Sequence, residues 1–473
     1  MPEPQAFDLV VVGAGPAGLH AALSAAALFG KRSAVVEKHT AIGGTTAVTG
    51  TLPSKTLRET ALALSGYRAR KLYGVDLSLR RRATITELLS HERTVKAAEQ
   101  NHLRGLLERF GVPLFRGTAT FADPHTIRVA PPDGPETLLR GDKIVLATGS
   151  VPARPQLFPF DDKRVHDSDE LVDLAKIPES LAVVGAGVIG AEYACMFAAL
   201  GVKTSVIDGR TKLLDFLDPD VSAALLAAMT ELGVEFIWGE RVTGCDAPPT
   251  GDVKLTLASG RTLAVDHVLV CAGRVSRAEQ LDLAAAGVEP GEKGRLKVND
   301  HFQTNVPHIY AVGDVIGFPA LASTSAEQGR AAAAHALGAT GLAAMTPLLP
   351  TGIYTIPEVA SVGDTEAQLK EKNVPYVVGR HDYAKNPRGK IIGDETGFVK
   401  LLFREPDLAL VGIHIIGELA TELVHTGLMV MRAGGGMDMI LNTCFNYPTL
   451  GGLFKQAAYA ALLERNARRP ADS

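Results

Sequence analysis

Phe7-Asp8-Leu9-Val10-Val11-Val12-Gly13-Ala14-Gly15-Pro16-Ala17-Gly18 is the stretch that decides the fold. Its apolar, β-branched half reads as a buried parallel strand, and its glycine half turns the chain into an alanine-rich helix over 19–28. A second strand, Ser33-Ala34-Val35-Val36, ends at Glu37, about twenty residues past the glycines, which completes a βαβ unit. In such a unit the glycines let the backbone approach a pyrophosphate. The helix N-terminus adds free amides and partial positive charge.

The same grammar returns downstream. Leu181-Ala182-Val183-Val184 leads into Gly185-Ala186-Gly187-Val188-Ile189-Gly190, a helix runs through Leu200, and the strand from Lys203 to Ile207 ends at Asp208. One GxGxxG is weak evidence, because glycine turns are common. Two copies, each between strand and helix and each closed by an acid, predict two bound dinucleotides, with Glu37 and Asp208 accepting hydrogen bonds from ribose hydroxyls.

Ile144 to Ser150, which includes Thr148 and Gly149, is another apolar strand ending in a glycine turn, and so is Val268 to Arg274, which includes Gly273. The run from Thr304 to Asp314 puts Gly313 and Asp314 at a strand's carboxyl end, where an open α/β sheet gathers its ligand contacts. A helix over 323–337 follows it. From about Thr351 the pattern changes to shorter strand-like pieces, Ile353 to Ile356 and Phe398 to Arg404, then helices and Gly434-Gly435-Gly436. The predicted fold is α/β, with two doubly wound Rossmann-like dinucleotide-binding domains and a C-terminal α+β domain. The expected boundaries are 1–152 with 272–346 for the first domain, 153–271 for the second and 347–473 for the third.

A formal charge of −4 over 473 residues argues against nucleic acid as a partner, and the basic run Arg80-Arg81-Arg82 reads as a solvated face. No apolar run reaches the ~18 residues that a membrane span needs. Glu3 and Asp8 lead straight into the first strand, so no signal peptide is expected. Cys195, Cys245, Cys271 and Cys444 are scattered without metal-type spacing, which fits a reducing cytoplasm.

Together these motifs resemble the flavoprotein disulfide reductase family over nearly the whole chain. PSKTLRE at 53–59, AVGDVIGFPALAS at 311–323, IYTIPEVASVG at 353–363 and FNYPT at 445–449 are similar to its branch of soluble pyridine nucleotide transhydrogenases. The resemblance implies FAD as cofactor, NAD and NADP as substrates, and a homodimer formed through the C-terminal domain. It places FAD against Gly13, Gly15 and Gly18, against Glu37 and Lys38, and against Gly43, Gly44, Thr45 and Lys55. Further FAD contacts are expected from Ala119, from Thr148, Gly149 and Ser150, from Gly313 and Asp314, and from Ala320, Leu321, Ala322 and Ser323 at the start of a helix aimed at the flavin. It places the nicotinamide coenzyme against Gly185, Gly187, Gly190, Asp208, Arg210, Val242 and Gly273. Lys55 is expected beside the flavin ring, paired with Glu192, as the catalytic pair.

The departures from that family decide the chemistry. Its disulfide reductases carry Cys-x-x-x-x-Cys before Pro-Ser-Lys, where this chain has Thr46 and Thr51. They also carry a His…Glu pair contributed by the partner subunit, where this chain has Tyr447 and Gly452. A threonine hydroxyl does not cycle between thiol and disulfide, and no base is placed to activate a dithiol. Disulfide reduction, dihydrolipoamide oxidation included, is therefore disfavoured, and the expected reaction passes hydride between NADPH and NAD+ through flavin N5. The same residues leave open an NAD(P)H dehydrogenase acting on a quinone, dye or oxygen, and a redox-inactive flavoprotein scaffold. Asp208 favours NAD, while Arg210 is either a clamp for a 2′-phosphate or a solvated turn residue. Val188 either leaves the nicotinamide pocket open or simply packs. The stretch from Gly43 to Lys55 is expected to be a loop, and Cys444 a buried, inert cysteine.

Overall fold

The computed structural model describes residues 3–70, 83–339, 341 and 344–468. The basic run Arg80-Arg81-Arg82 lies outside them. Strand Gln5–Val12 sits inside a seven-stranded sheet, as its buried residues 9–12 require. Ser33–Glu37 pairs with it on one side and Thr137–Leu146 on the other, both parallel. Leu114–Arg116 and Ile309–Ala311 extend the parallel set, and the antiparallel pair Thr118–Asp123 and Thr126–Ala130 completes the sheet. Helices Pro16–Ala27 and Ala322–Ala336 approach closely because residue 329 is glycine; a Cβ there would lie 2.0 Å from the Ala17 carbonyl oxygen.

The second fingerprint belongs to a five-stranded, all-parallel sheet in the order Val234–Trp238, Lys203–Asp208, Ser180–Val184, His267–Val270 and Val165–Asp167. Its helix, Val188–Ala199, is buried on almost every side. The chain leaves the first sheet at Ser150–Pro152 and returns at Arg274–Ser276, and these two crossing segments pair antiparallel. The C-terminal part is a five-stranded antiparallel sheet from Thr351–Ile353 to Tyr376–Asp382, covered by helices Ala420–Arg432 and Gly452–Arg468. Lys400, buried on that sheet, reaches Asp218 at 2.8 Å, Asp220 at 2.7 Å and Glu366, and so fastens the second nucleotide-binding sheet to the C-terminal part. Burial opposes its charge, but the three carboxylates outweigh that and hold the ammonium above the usual lysine range.

The segment expected to be a loop is largely helical: Gly44–Val48 and Thr51–Leu64 are helices. Gly43 and Gly44, with φ of 92° and 57°, make the left-handed entry that other residues rarely adopt. Pro53 does not break the second helix because it lies in the first turn, where an N–H has no intrahelical partner. Lys55 is thereby held on a rigid element rather than on a mobile connection.

Candidate active site

A cavity of about 890 Å³ runs from the first fingerprint to the C-terminal sheet. At one end the glycines are sterically required. A Cβ on Gly13 would lie 2.3 Å from the Ala147 oxygen, and one on Gly18 would lie 1.9 Å from the Gly13 oxygen. Gly44 approaches Gly15 so closely that its Cβ would meet Gly15 Cα at 2.9 Å. Glu37 accepts from the Ala14 N–H at 2.9 Å and from the His39 N–H at 2.9 Å, which fixes its carboxylate at the strand's end. Behind this wall Gln100 exchanges two hydrogen bonds with the Ile42 backbone, at 2.8 and 2.5 Å, and holds the 38–43 connection in place.

Along the middle of the cavity, Ser150 Oγ donates to Asp314 at 2.7 Å and the Gly313 N–H donates to Gln328 at 2.7 Å. Thr148 Oγ1 is buried on the cavity wall and finds no partner among the described residues. An orphaned hydroxyl, a glycine cradle and a helix starting at Ala322 on the same wall fit a dinucleotide with a polar ring system, and FAD is such a group. Of the expected FAD contacts, Gly13, Gly15, Glu37, Lys38, Gly44, Thr45, Lys55, Ala119, Thr148 to Ser150, Gly313, Asp314 and Ala320 to Ser323 line the cavity. Gly18 and Gly43 instead shape the backbone behind it.

At the far end, Lys55 Nζ lies 2.6 Å from Glu192 Oε2, with side chains 25 % and 7 % exposed. Glu192 Oε1 accepts from the Tyr354 N–H at 2.8 Å, and the ammonium sits 5.0 Å from the centre of the Tyr354 ring. One carboxylate therefore aims the lysine and anchors the third segment of the wall. Thr46 and Thr51 face the same space, and among the described residues no cysteine lines it. Burial pushes the Cys195 and Cys271 thiols up to about 12, so neither is a thiolate at neutral pH. Cys444 is exposed rather than buried, because it falls in the irregular segment between helices Met437–Asn442 and Gly452–Arg468. On that segment Tyr447 is 77 % exposed and does not line this chain's own cavity.

The second fingerprint repeats the first. A Cβ on Gly190 would lie 2.0 Å from the Gly185 oxygen, and Asp208 accepts from the Ala186 N–H at 2.7 Å, as Glu37 does from Ala14. Arg210 is an exposed residue of the turn, and its Nε and Nη2 fork onto Asp208 at 3.0 and 2.8 Å. Burial alone would raise the Asp208 carboxyl, but the hydrogen bonds from Arg210 and Ala186 overcome it and lower it to about 2. Gly185, Gly187, Gly190, Asp208, Arg210, Val242 and Gly273 stand outside the cavity. Val188, Ile189 and Glu192, on the helix that follows the fingerprint, line it and connect the two sites.

Several wall residues escape the sequence reading. Arg274 donates to Ser150 Oγ at 2.9 Å, to the Ser150 carbonyl at 3.0 Å and to Thr45 Oγ1 at 3.3 Å, tying the crossing strand to the helix before Lys55. Arg277 stands 3.2 Å from His39, and burial lowers it from the usual arginine range. Arg274 follows a glycine turn noted in the sequence and Tyr354 lies inside a quoted motif, so both had a signal. Thr421 and His425, which also line the cavity, sit on an ordinary amphipathic helix and had none.

Two dinucleotide sites that meet at a cavity without thiols define a class, the flavin-dependent oxidoreductases of pyridine nucleotides. The chain belongs to the pyridine nucleotide-disulphide oxidoreductase family, whose model matches residues 7–329, with that family's dimerisation domain matching 349–458. It is 48 % identical over 453 residues, 96 % of each chain, to a protein of Mycobacterium bovis named soluble pyridine nucleotide transhydrogenase. A protein of the same name from Colwellia psychrerythraea is 38 % identical over 96 % of this chain and 98 % of its own. Among solved structures, LpdA from Mycobacterium tuberculosis superposes with a TM-score of 0.87 at 28 % identity, covering 96 % of this chain and 99 % of that one. FAD and a nicotinamide dinucleotide are thus its cofactors, and the C-terminal domain pairs two copies of the chain. Among the described residues, no helix is long and apolar enough to cross a membrane.

Proposed function

We propose that this enzyme is a pyridine nucleotide transhydrogenase, exchanging hydride between NADPH and NAD+ without a redox disulfide. The carrying observation is the far end of the cavity, where threonines stand at the two cysteine positions and the Lys55–Glu192 pair remains. The names of the relatives support the same reading.

Bound FAD supplies a ring that takes hydride from one nicotinamide and returns it to another. The chain's own residues hold and tune that ring. The glycine turn at 13–18 and the amides at 44–45 would take its diphosphate, Glu37 would take a ribose, and Asp314 with Ser150 would hold the ribityl side. Lys55 would place a positive charge beside the ring, and the N-terminus of Ala322–Ala336 would favour negative charge on the part of the ring nearest it. The 185–190 turn seats either nicotinamide coenzyme, with Asp208 at its adenosine ribose. Val188, a small side chain on the cavity wall, leaves room for the nicotinamide. Exchange of hydride between two nicotinamides consumes no proton, so the cavity needs no acid–base pair; Tyr447 and Gly452 stand where the resemblance would place one. We assign 1–152 with 272–346 to the FAD domain, 153–271 to the NAD(P) domain and 347–473 to the dimer interface, and we place the enzyme in the cytoplasm, in keeping with relatives named soluble and with four free cysteines.

Steady-state turnover of NADPH with an NAD+ analogue, run beside a quinone, tests this assignment. Rapid exchange between the nucleotides is expected. Fast quinone reduction with no nucleotide exchange would replace it with the dehydrogenase reading. Partial reduction with dithionite, in the absence of nicotinamide, is further expected to show no thiolate-to-flavin charge-transfer band, because the wall offers no thiolate; such a band in the visible spectrum would contradict the thiol-free site.

A further inference from the structure

The turn after Trp238 is fastened to the turn after Asp208. These two residues are register partners on adjacent parallel strands. The Glu240 N–H donates to the Asp208 carbonyl at 3.3 Å and the Gly239 N–H to the Arg210 carbonyl at 3.2 Å. The connection brings Arg241 back over Gly209, where a Cβ would lie 3.0 Å from Arg241 Nε and 3.3 Å from its Cγ. A Cβ at 209 would make the Arg241 side chain give by a few tenths of an ångström. Arg241 is exposed, and among the described residues it makes no ion pair. Neighbouring Glu240 makes no ion pair with it among the described residues; its carboxylate accepts from the Ser259 N–H at 3.2 Å. The two arginines thus differ: Arg210 is spent on Asp208, and Arg241 presents an open charge over the adjacent Gly209.

We propose that Arg241 receives the 2′-phosphate of NADPH, in the space that Gly209 leaves beside the ribose. Asp208 serves the 2′-hydroxyl of NADH, and Arg210 cancels the repulsion that Asp208 would otherwise exert on the phosphate. The assignment rests on the two-coenzyme function proposed above. A guanidinium suits this duty because its planar fork matches a phosphate with two parallel hydrogen bonds, which a lysine does not reproduce. An acid at the end of the second strand ordinarily selects for NAD by repelling the phosphate. Here the acid is kept and its charge is offset, so a single site serves both coenzymes.

The test separates ribose recognition from hydride chemistry. Adenosine 2′,5′-bisphosphate and 5′-AMP carry the two ribose ends without a nicotinamide. Trp238, the chain's single tryptophan, stands beside Asp208 and reports their binding to holoenzyme by fluorescence. Arg241→Ala is expected to weaken the bisphosphate by about 10- to 100-fold and 5′-AMP by less than about twofold, with Arg241→Lys recovering part of the loss. The flavin spectrum checks that each variant is folded. Equal losses for both ligands, or no loss for either, overturn the role of Arg241 and leave two-coenzyme use standing. A wild-type enzyme that binds 5′-AMP but shows no binding of the bisphosphate overturns both.

Discussion

Gly190→Ala is expected to yield a yellow protein that neither NADH nor NADPH bleaches, whereas Gly18→Ala yields a colourless one. The two substitutions add the same methyl at the same place in two copies of one motif. At Gly190 it would lie 2.0 Å from the Gly185 carbonyl oxygen, and at Gly18 it would lie 1.9 Å from that of Gly13. Neither obstacle is a flexible side-chain tip, so in each unit the helix must move off its strand. The displaced helix N-terminus then no longer points its amides at the diphosphate. A shift of about 1 Å in a seated reactant costs on the order of 10²-fold in rate, and coenzyme reduction in Gly190→Ala is expected to fall by at least that much. FAD stays bound because its own unit is untouched. Flavin absorbance after purification and anaerobic mixing with each coenzyme check both halves. Wild-type reduction of Gly190→Ala would mean that this close approach does not seat the coenzyme.

Lys55→Met is expected to slow flavin reduction by about 10²–10³-fold, the scale of losing a fixed charge or donor aimed at developing negative charge. It should also move the flavin potential to more negative values, because the reduced ring loses a stabilising cation. Glu192→Ala acts differently. It leaves the ammonium without its partner at 2.6 Å and the Tyr354 N–H without its acceptor. Removing one member of a buried pair costs about 3–5 kcal/mol, and the lower figure applies because the Lys55 side chain is 25 % exposed. Glu192→Gln, which can keep the bond to Tyr354, is expected to retain most of the stability while losing the counter-charge. Melting temperature and the rate of reduction therefore separate the two duties of Glu192. A Lys55→Met enzyme with unchanged rate and potential would remove Lys55 from the chemistry.

The parts legible in the sequence were those governed by backbone constraints. Each GxGxxG lies between a strand and a helix, and Glu37 and Asp208 are bound to Ala14 and Ala186 through matching amide contacts. Thr46 and Thr51 share the wall with Lys55, as their place in the motif implied. What stayed hidden depends on packing between distant segments. The helices over 44–48 and 51–64 were masked by glycine, proline and threonines, which favour loops unless a turn or first-turn position uses them. The exposure of Cys444 depends on where an irregular segment falls. Arg241 gave no signal, because only the register of Asp208 with Trp238 brings it over Gly209.

The central claim is that hydride passes between nucleotides through the flavin alone. Anaerobic titration of the holoenzyme with dithionite, followed by addition of NAD+, tests it most directly. The account predicts complete bleaching by about one two-electron equivalent per chain and full return of the oxidised spectrum with NAD+. Uptake of about two equivalents would mean that a dithiol takes part. A bleached enzyme that NAD+ leaves unchanged would mean that the hydride is destined for something other than a nicotinamide.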